Sequence, residues 1–174
     1  MSNALPESID AWRMVSARRI FTGRLALEAM PRLEAYLAEA VGECEYEAEF
    51  GRDDLGLAFL DIDVKAKLPL ICQRTLERFD LPVTVHQRLG LIRDEREDAA
   101  LPEGYEPVLL PPDGALRLAD AIEDELILAV PVVPMSDGGL LPGDVVWQDA
   151  DAEAPDEDEK VNPFAALAGL KKKD

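Results

Sequence analysis

From Glu43 the chain alternates strictly, with Glu43, Glu45, Glu47 and Glu49 standing between Cys44, Tyr46, Ala48 and Phe50. A period of two puts successive side chains on opposite faces of a strand, so one face is wholly acidic and Cys44 points inward. The turn signal GRDDLG comes next, and then Leu60, Ile62, Val64, Ala66 and Leu68 alternate with Asp61, Asp63, Lys65 and Lys67. These two runs are expected to pair as a hairpin. A turn centred near Asp54 or Leu55 sets Lys65 and Lys67 opposite Glu43 and Glu45, and such cross-strand pairs contribute about 0.2 to 1 kcal/mol each. A third run, Phe79, Leu81, Val83, Val85, Leu89 and Leu91, alternates with Asp80, Pro82, Thr84, His86 and Arg88, which places His86 on a polar face. Residues 17–27, ARRIFTGRLAL, read more weakly as a first strand.

Two segments change the period to that of a helix. In residues 31–41, Leu33, Tyr36, Leu37, Ala40 and Val41 fall on one stripe, with Pro31 suited to the first turn and Gly42 to the stop. In residues 118–130, Leu118, Ala121, Ile122, Leu126, Ala129 and Val130 form a second stripe ended by Pro131, with Glu123, Asp124 and Glu125 opposite or at its margin. Residues 93–107 have the punctuation of an exposed loop, and YEPVLLPPDG is a short apolar run ending in a turn. The pattern predicts an α+β fold: an antiparallel β-sheet meander packed by two main helices, in one domain over residues 1–135. Residues 136–160, rich in Gly, Pro, Asp and Glu, read as an acidic flexible linker. Residues 161–174 read as a short C-terminal helical tail, amphipathic through Phe164, Leu167 and Leu170 and basic at its end.

Charge sharpens this picture. The 174-residue chain carries a net −18, distributed as −8 over residues 1–117, −13 over residues 118–159, which contain no base, and +3 over residues 160–174. A body this acidic repels phosphate backbones, because nucleic-acid affinity comes mainly from Lys and Arg displacing counterions. The nearest approach to a basic and aromatic patch is Arg13, Arg18, Arg19 and Arg24 with Trp12 and Phe21. No apolar run nears the roughly 20 residues of a membrane span, and MSNALPESIDAW has no apolar secretory core, so the expected location is the cytoplasm.

Chemistry is sparse. Cys72, in the segment Cys-Gln-Arg-Thr, has Thr75 where a metal knuckle would have a second cysteine, and only Cys44 and His86 remain as soft ligands. A Cys72–His86 nucleophile pair is disfavoured, since a hairpin with Cys72 at its tip carries His86 far down the returning strand. There is no Gly-x-Ser-x-Gly, Walker loop or Gly-x-Gly-x-x-Gly. The acids of residues 149–158 lack the glycine and bidentate glutamate of a calcium loop. The residues therefore point to no catalytic role, no metal and no cofactor.

Four segments taken together, LPLICQRTLERFDLPV, LPEGYEPV, AIEDELILAVPVVPM and NPFAALAGLKKK, resemble the bacterial YceD family of large ribosomal RNA subunit accumulation proteins, over a span from about Arg18 to the C-terminus. The resemblance implies a non-enzymatic cytoplasmic ribosome-biogenesis factor needed for synthesis, processing and accumulation of 23S rRNA. In such relatives the segment matching residues 72–75 commonly reads Cys-x-x-Cys, with further cysteines in some members after Pro-Val-Val-Pro. This chain has Thr75 instead, and no cysteine over residues 135–144. The residues the resemblance marks for partner binding are Cys72, Arg74, Glu123, Asp124, Glu125, Pro131, Pro134, Asn162, Pro163 and Phe164. The charge suggests a basic ribosomal protein or large-subunit assembly factor as the partner, and direct binding to 23S rRNA precursor as the alternative.

Overall fold

A computed structural model of the chain describes residues 5–136. Of the expected acidic linker only Ser136 is described, and the rest of it and the tail with Asn162, Pro163 and Phe164 lie outside the described residues. The elements in chain order are β1 (Ile9–Asp10), α1 (Ala11–Ser16), β2 (Ile20–Ala26), α2 (Pro31–Glu34), β3 (Glu43–Arg52), β4 (Ala58–Ile71), β5 (Arg78–Ile92), β6 (Glu106–Leu109), β7 (Ala115–Leu116) and α3 (Leu118–Ala129). Short 3₁₀ turns occupy Leu27–Ala29 and Glu95–Ala100. The class is α+β, as the periodicity predicted.

Strands β2 to β6 form one sheet in sequential order, and β1 pairs with β7 in a separate two-stranded ribbon. Alternation sets the register. Glu45 stands opposite Lys65, Glu47 opposite Asp63 and Glu49 opposite Asp61. On the inner face Cys44, Ala48, Phe50, Leu60, Ile62, Val64 and Leu68 are completely buried. Against them pack Ala11 and Val15 of α1, Leu27, Met30, Leu33, and Leu118, Ile122 and Leu126 of α3. Phe21 meets Phe50 edge to face, with ring centroids 6.1 Å apart. The other face of the sheet carries Glu43, Glu45, Glu47 and Glu49, all exposed.

Two expectations are corrected. The helix over 31–41 is a single turn, Pro31–Glu34. The amides of Tyr36 and Leu37 close tight bonds to the carbonyls of Leu33 and Glu34, and Ala38 N–H donates instead to Pro69 O at 2.8 Å. The residue pairs joining β3 to β4 end at Lys65, so the Pro69 carbonyl lies beyond them, and it draws the chain out of the helix. Tyr36 and Val41, expected on the buried stripe, are exposed. The second correction concerns the meander. It is antiparallel only through β5; β6 runs parallel to β5, with Leu89 opposite Glu106 and Ile92 opposite Leu109. Residues 93–105 supply the roughly dozen residues that a parallel return needs.

That return is held to the sheet by aromatic and charged contacts. Arg88 bonds Asp61 through both guanidinium arms, at 2.6 and 2.5 Å, and its charge lies over the rings of Phe59 and Tyr105. Tyr105 O–H donates to Asp53 at 2.8 Å. Gly90 leaves room for Leu101, whose methyl would sit 2.7 Å from a Cβ at that position. We expect Gly90→Val to destabilise the fold by about 1 to 3 kcal/mol through this collision. Urea unfolding should show the loss and hydrogen exchange should localise it to residues 101–105, with Leu101→Ala in the same chain restoring part of it.

Candidate functional site

The marked residues fall into three places. At the tip of the β4–β5 hairpin, residues 72–77 turn the chain, with Cys72 N–H donating to Glu77 O and Leu76 N–H to Cys72 O. Leu76 adopts a positive φ of 59°, a conformation a non-glycine residue enters only where a tight turn requires it. The segment after α3 reaches this tip. Gln73 N–H donates to Pro134 O at 2.8 Å, and the Arg74 guanidinium donates to Ser136 O at 3.0 Å. The Ser136 N–H and O–H both point to Cys72 Sγ at 3.5 Å. Cys72, Arg74 and Pro134 are thus neighbours although some sixty residues separate the two segments. Pro131 lies further back, where it ends α3, and Val132, Val133, Met135 and Leu76 leave apolar surface exposed around the tip.

The two cysteines have opposite chemistry. Burial pushes the Cys44 thiol up to about 11. Hydrogen bonds from the Ser136 hydroxyl, the Ser136 amide and the Thr75 hydroxyl and amide bring Cys72 down to about 6. One thiolate beside the hydroxyls of Ser136 and Thr75 does not make the donor set of a structural zinc site, which wants four thiolate or imidazole ligands. Among the described residues no group of three or more His, Cys, Asp or Glu side chains is placed to hold a metal ion. His86 is bound elsewhere, 2.9 Å from Asp63 on the outer sheet face.

At the second place, Glu123 and Asp124 of α3 meet α2. Sequence patterning set Glu123 opposite or at the margin of the apolar stripe, but it is buried, with 3% of its surface exposed. Its carboxylate accepts the Arg32 N–H at 2.6 Å, the Leu33 N–H at 3.0 Å and the Arg32 guanidinium at 2.9 Å. It therefore caps the start of α2 from another element, doing what an N-cap side chain does locally. Arg32 also reaches Asp124 at 2.5 Å and the Asp120 carbonyl at 3.0 Å. Arg32 gave no signal in the sequence, because its partner stands 91 residues away.

The third place holds Glu125 alone. It faces away from Arg32 into a groove between α3 and the edge strand β6, and it too is buried, with 7% exposed. Ser136, Gln73 and Glu106 of these surroundings were likewise not singled out by sequence; only their packing against the marked residues reveals them.

These features define a class: an α+β domain in which marked residues at the hairpin tip and on α3 bind neighbouring segments, cap a helix and line a groove, with no assembled nucleophile, base and orienting group among the described ones. The sequence profile of the family described as "Large ribosomal RNA subunit accumulation protein YceD" matches residues 60–171, most of the chain, and the chain belongs to this family. A relative of the same description from Haemophilus influenzae is 28% identical over 181 residues, covering 97% of this chain and 97% of its own. No solved structure matches the chain. Among the described residues no helix is long and apolar enough to cross a membrane.

Glu123→Ala should cost about 1 to 3 kcal/mol, since it uncaps α2 and leaves Arg32 with only Asp124 and the Asp120 carbonyl, and chemical denaturation will read it. Cys72 should ionise near pH 6 in a Cys44→Ala chain, monitored by thiolate absorbance in the far ultraviolet, and Ser136→Ala should move the midpoint upward. Because the folded thiol ionises below its ordinary value near 9, the stability it contributes is present above that value and is lost as the pH falls through about 6.

Proposed function

We propose that the chain is a non-enzymatic ribosome-biogenesis factor that supports 23S rRNA accumulation by binding a basic ribosomal protein or large-subunit assembly factor. Family membership supports the first half. The observation that carries the second is the outer sheet face. Glu43, Glu45, Glu47 and Glu49 share it with Asp61 and Asp63, and carboxylates stand directly opposite one another at Glu47–Asp63 and Glu49–Asp61. Like charges across strands destabilise a sheet, so this arrangement costs the fold stability unless a cation relieves it. The ion pairs of Arg24 with Glu45 and Arg88 with Asp61 relieve part of it from within, Lys65 stands opposite Glu45, and His86 hydrogen-bonds Asp63. The remaining potential attracts a cationic partner and repels phosphate.

Direct binding to 23S rRNA precursor is the rival reading. It is favoured by two exposed arginines that lie over half-buried rings, Arg93 over Trp12 at 4.4 Å and Arg19 over Phe21 at 5.9 Å. Arg24, grouped with them by sequence, is bound to Glu45.

Deleting the gene should lower 23S relative to 16S rRNA, and an unchanged ratio removes the first half of the proposal. Purified chain should retain basic large-subunit proteins at low salt and release them as salt rises, with Glu43, Glu45, Glu47 and Glu49 changed together to Gln weakening retention. A tight gel shift with 23S fragments at physiological salt, abolished by changing Arg18, Arg19 and Arg93 to Ala, would decide for RNA instead.

A further inference from the structure

The groove beside Glu125 is built differently from the acidic sheet face. It has a volume of about 540 Å³ and runs between the sheet's outer strand, β6, and α3. Ala121, Glu125 and Leu128 recur at i, i+4 and i+7 and so line it from one face of α3. Val108 and Leu109 line it from β6. Leu109 is half exposed and Leu128 is 69% exposed, so the two rims present apolar side chains to solvent. Between them the Glu125 residue is more than nine-tenths buried, and although no sealed, unpartnered side-chain oxygen occurs among the described residues, no hydrogen bond or ion pair within them reaches its carboxylate.

The neighbours of that carboxylate make its position worse. Arg32 is taken up by Glu123 and by Asp124, which also lines the groove, and makes no ion pair with Glu125. Arg117, the one cation lining the groove among the described residues, is paired with Asp120 at 3.1 Å. Glu106 accepts from Gln87 at 2.9 Å and adds negative charge. Burial, Glu106 and Asp124 together hold the Glu125 carboxyl above the usual carboxylate range. A partly desolvated carboxylate beside other acids is costly to ionise, and a cation brought to it from outside would lower that cost.

We infer that this groove is the docking site for a cationic amphipathic segment of the basic protein partner, one that sets a Lys or Arg on Glu125 between apolar side chains resting on Leu109 and Leu128. The inference rests on the proposal that the chain acts through a basic protein, and it names where that protein is gripped. Charge complementarity selects the occupant. Glu106, Asp120, Asp124 and Glu125 surround the groove, so a phosphate backbone is repelled, and a second copy of a chain at −18 would bring further acids. The sheet face then attracts the partner from a distance, and the groove holds it by burying apolar surface around one desolvated ion pair.

The test uses the full chain with benzoylphenylalanine at Leu109, at Leu128 or, for comparison, at Thr84 on the sheet face. The probe is the total protein of large ribosomal subunits, freed of RNA. Crosslinks from 109 and 128 should fall in a segment with Lys or Arg interleaved among apolar residues. A synthetic peptide of that segment should bind about tenfold more weakly to Glu125→Gln and to Leu128→Asp, while Glu47→Gln should bind it as tightly as the unchanged chain at moderate salt. Leu128 lies on the rim, so its substitution keeps the test decisive even where Glu125→Gln disturbs folding. Basic proteins retained equally by both groove variants would overturn the groove while leaving the adaptor function standing, and so would crosslinks to a second copy of the chain. If no basic protein is retained and 23S fragments bind instead, the adaptor function falls and the groove assignment falls with it.

Discussion

One buried carboxylate joins the two halves of the layer that covers the sheet. Glu123 comes from α3 and accepts the free amides of Arg32 and Leu33 at the start of α2, so two segments 91 residues apart become one surface. The Arg32 guanidinium completes the arrangement by bonding both Glu123 and Asp124. Removing the buried Glu123 charge leaves the Arg32 and Leu33 amides without a partner and takes one of two carboxylates from the Arg32 guanidinium, which is why such buried groups are hard to replace singly. The position of α3, once held in this way, governs the core, the groove and the hairpin tip. Its apolar stripe of Leu118, Ile122 and Leu126 closes the core. Its other face forms one wall of the groove, and its end delivers Pro134 and Ser136 to the hairpin tip.

The sheet divides charge from core with little compromise. Its inner face is apolar along β3 and β4, and its outer face carries acids in ranks that partly oppose one another. An open antiparallel face in contact with water is ordinary, but carboxylates directly opposite carboxylates are not the arrangement that stability alone would favour. Arg24 and Arg88 pair with acids of this face, His86 hydrogen-bonds Asp63, and Lys65 stands opposite Glu45. Arg88 also carries the loop over residues 93–105 through Phe59 and Tyr105, so one guanidinium both neutralises the face and fixes the return to β6.

At the hairpin tip, the Cys-Gln-Arg-Thr segment meets hydroxyls in place of further thiolates. Thr75 and Ser136 hydrogen-bond Cys72, and Arg74 and Gln73 bind the backbone of the segment after α3. The donors bring β4–β5 and the end of α3 together without a metal-like ligand set. Membership of the YceD family and the shape of this tip are thus compatible, while the ligand chemistry differs from the Cys-x-x-Cys pattern that the resemblance implies for other members.

Local periodicity by itself determined β3, β4 and β5, the turn at residues 53–57, the hairpin tip at residues 72–77 and the extent of α3. In each, the alternation of apolar and polar positions needs only near neighbours to be read. The family, too, was legible in the segments around Cys72, Glu123 and Pro134. Tertiary structure alone decided that the helix over 31–41 stops after one turn, because the carbonyl that draws Ala38 away belongs to Pro69. It decided that β6 lies parallel to β5, and that Glu123 and Glu125, alike in sequence, are respectively saturated with donors and left without one among the described residues. The physical reason is the same each time. The pattern of side chains along the chain fixes which face is apolar, but whether a polar group is desolvated, and what then satisfies it, depends on a partner many residues away.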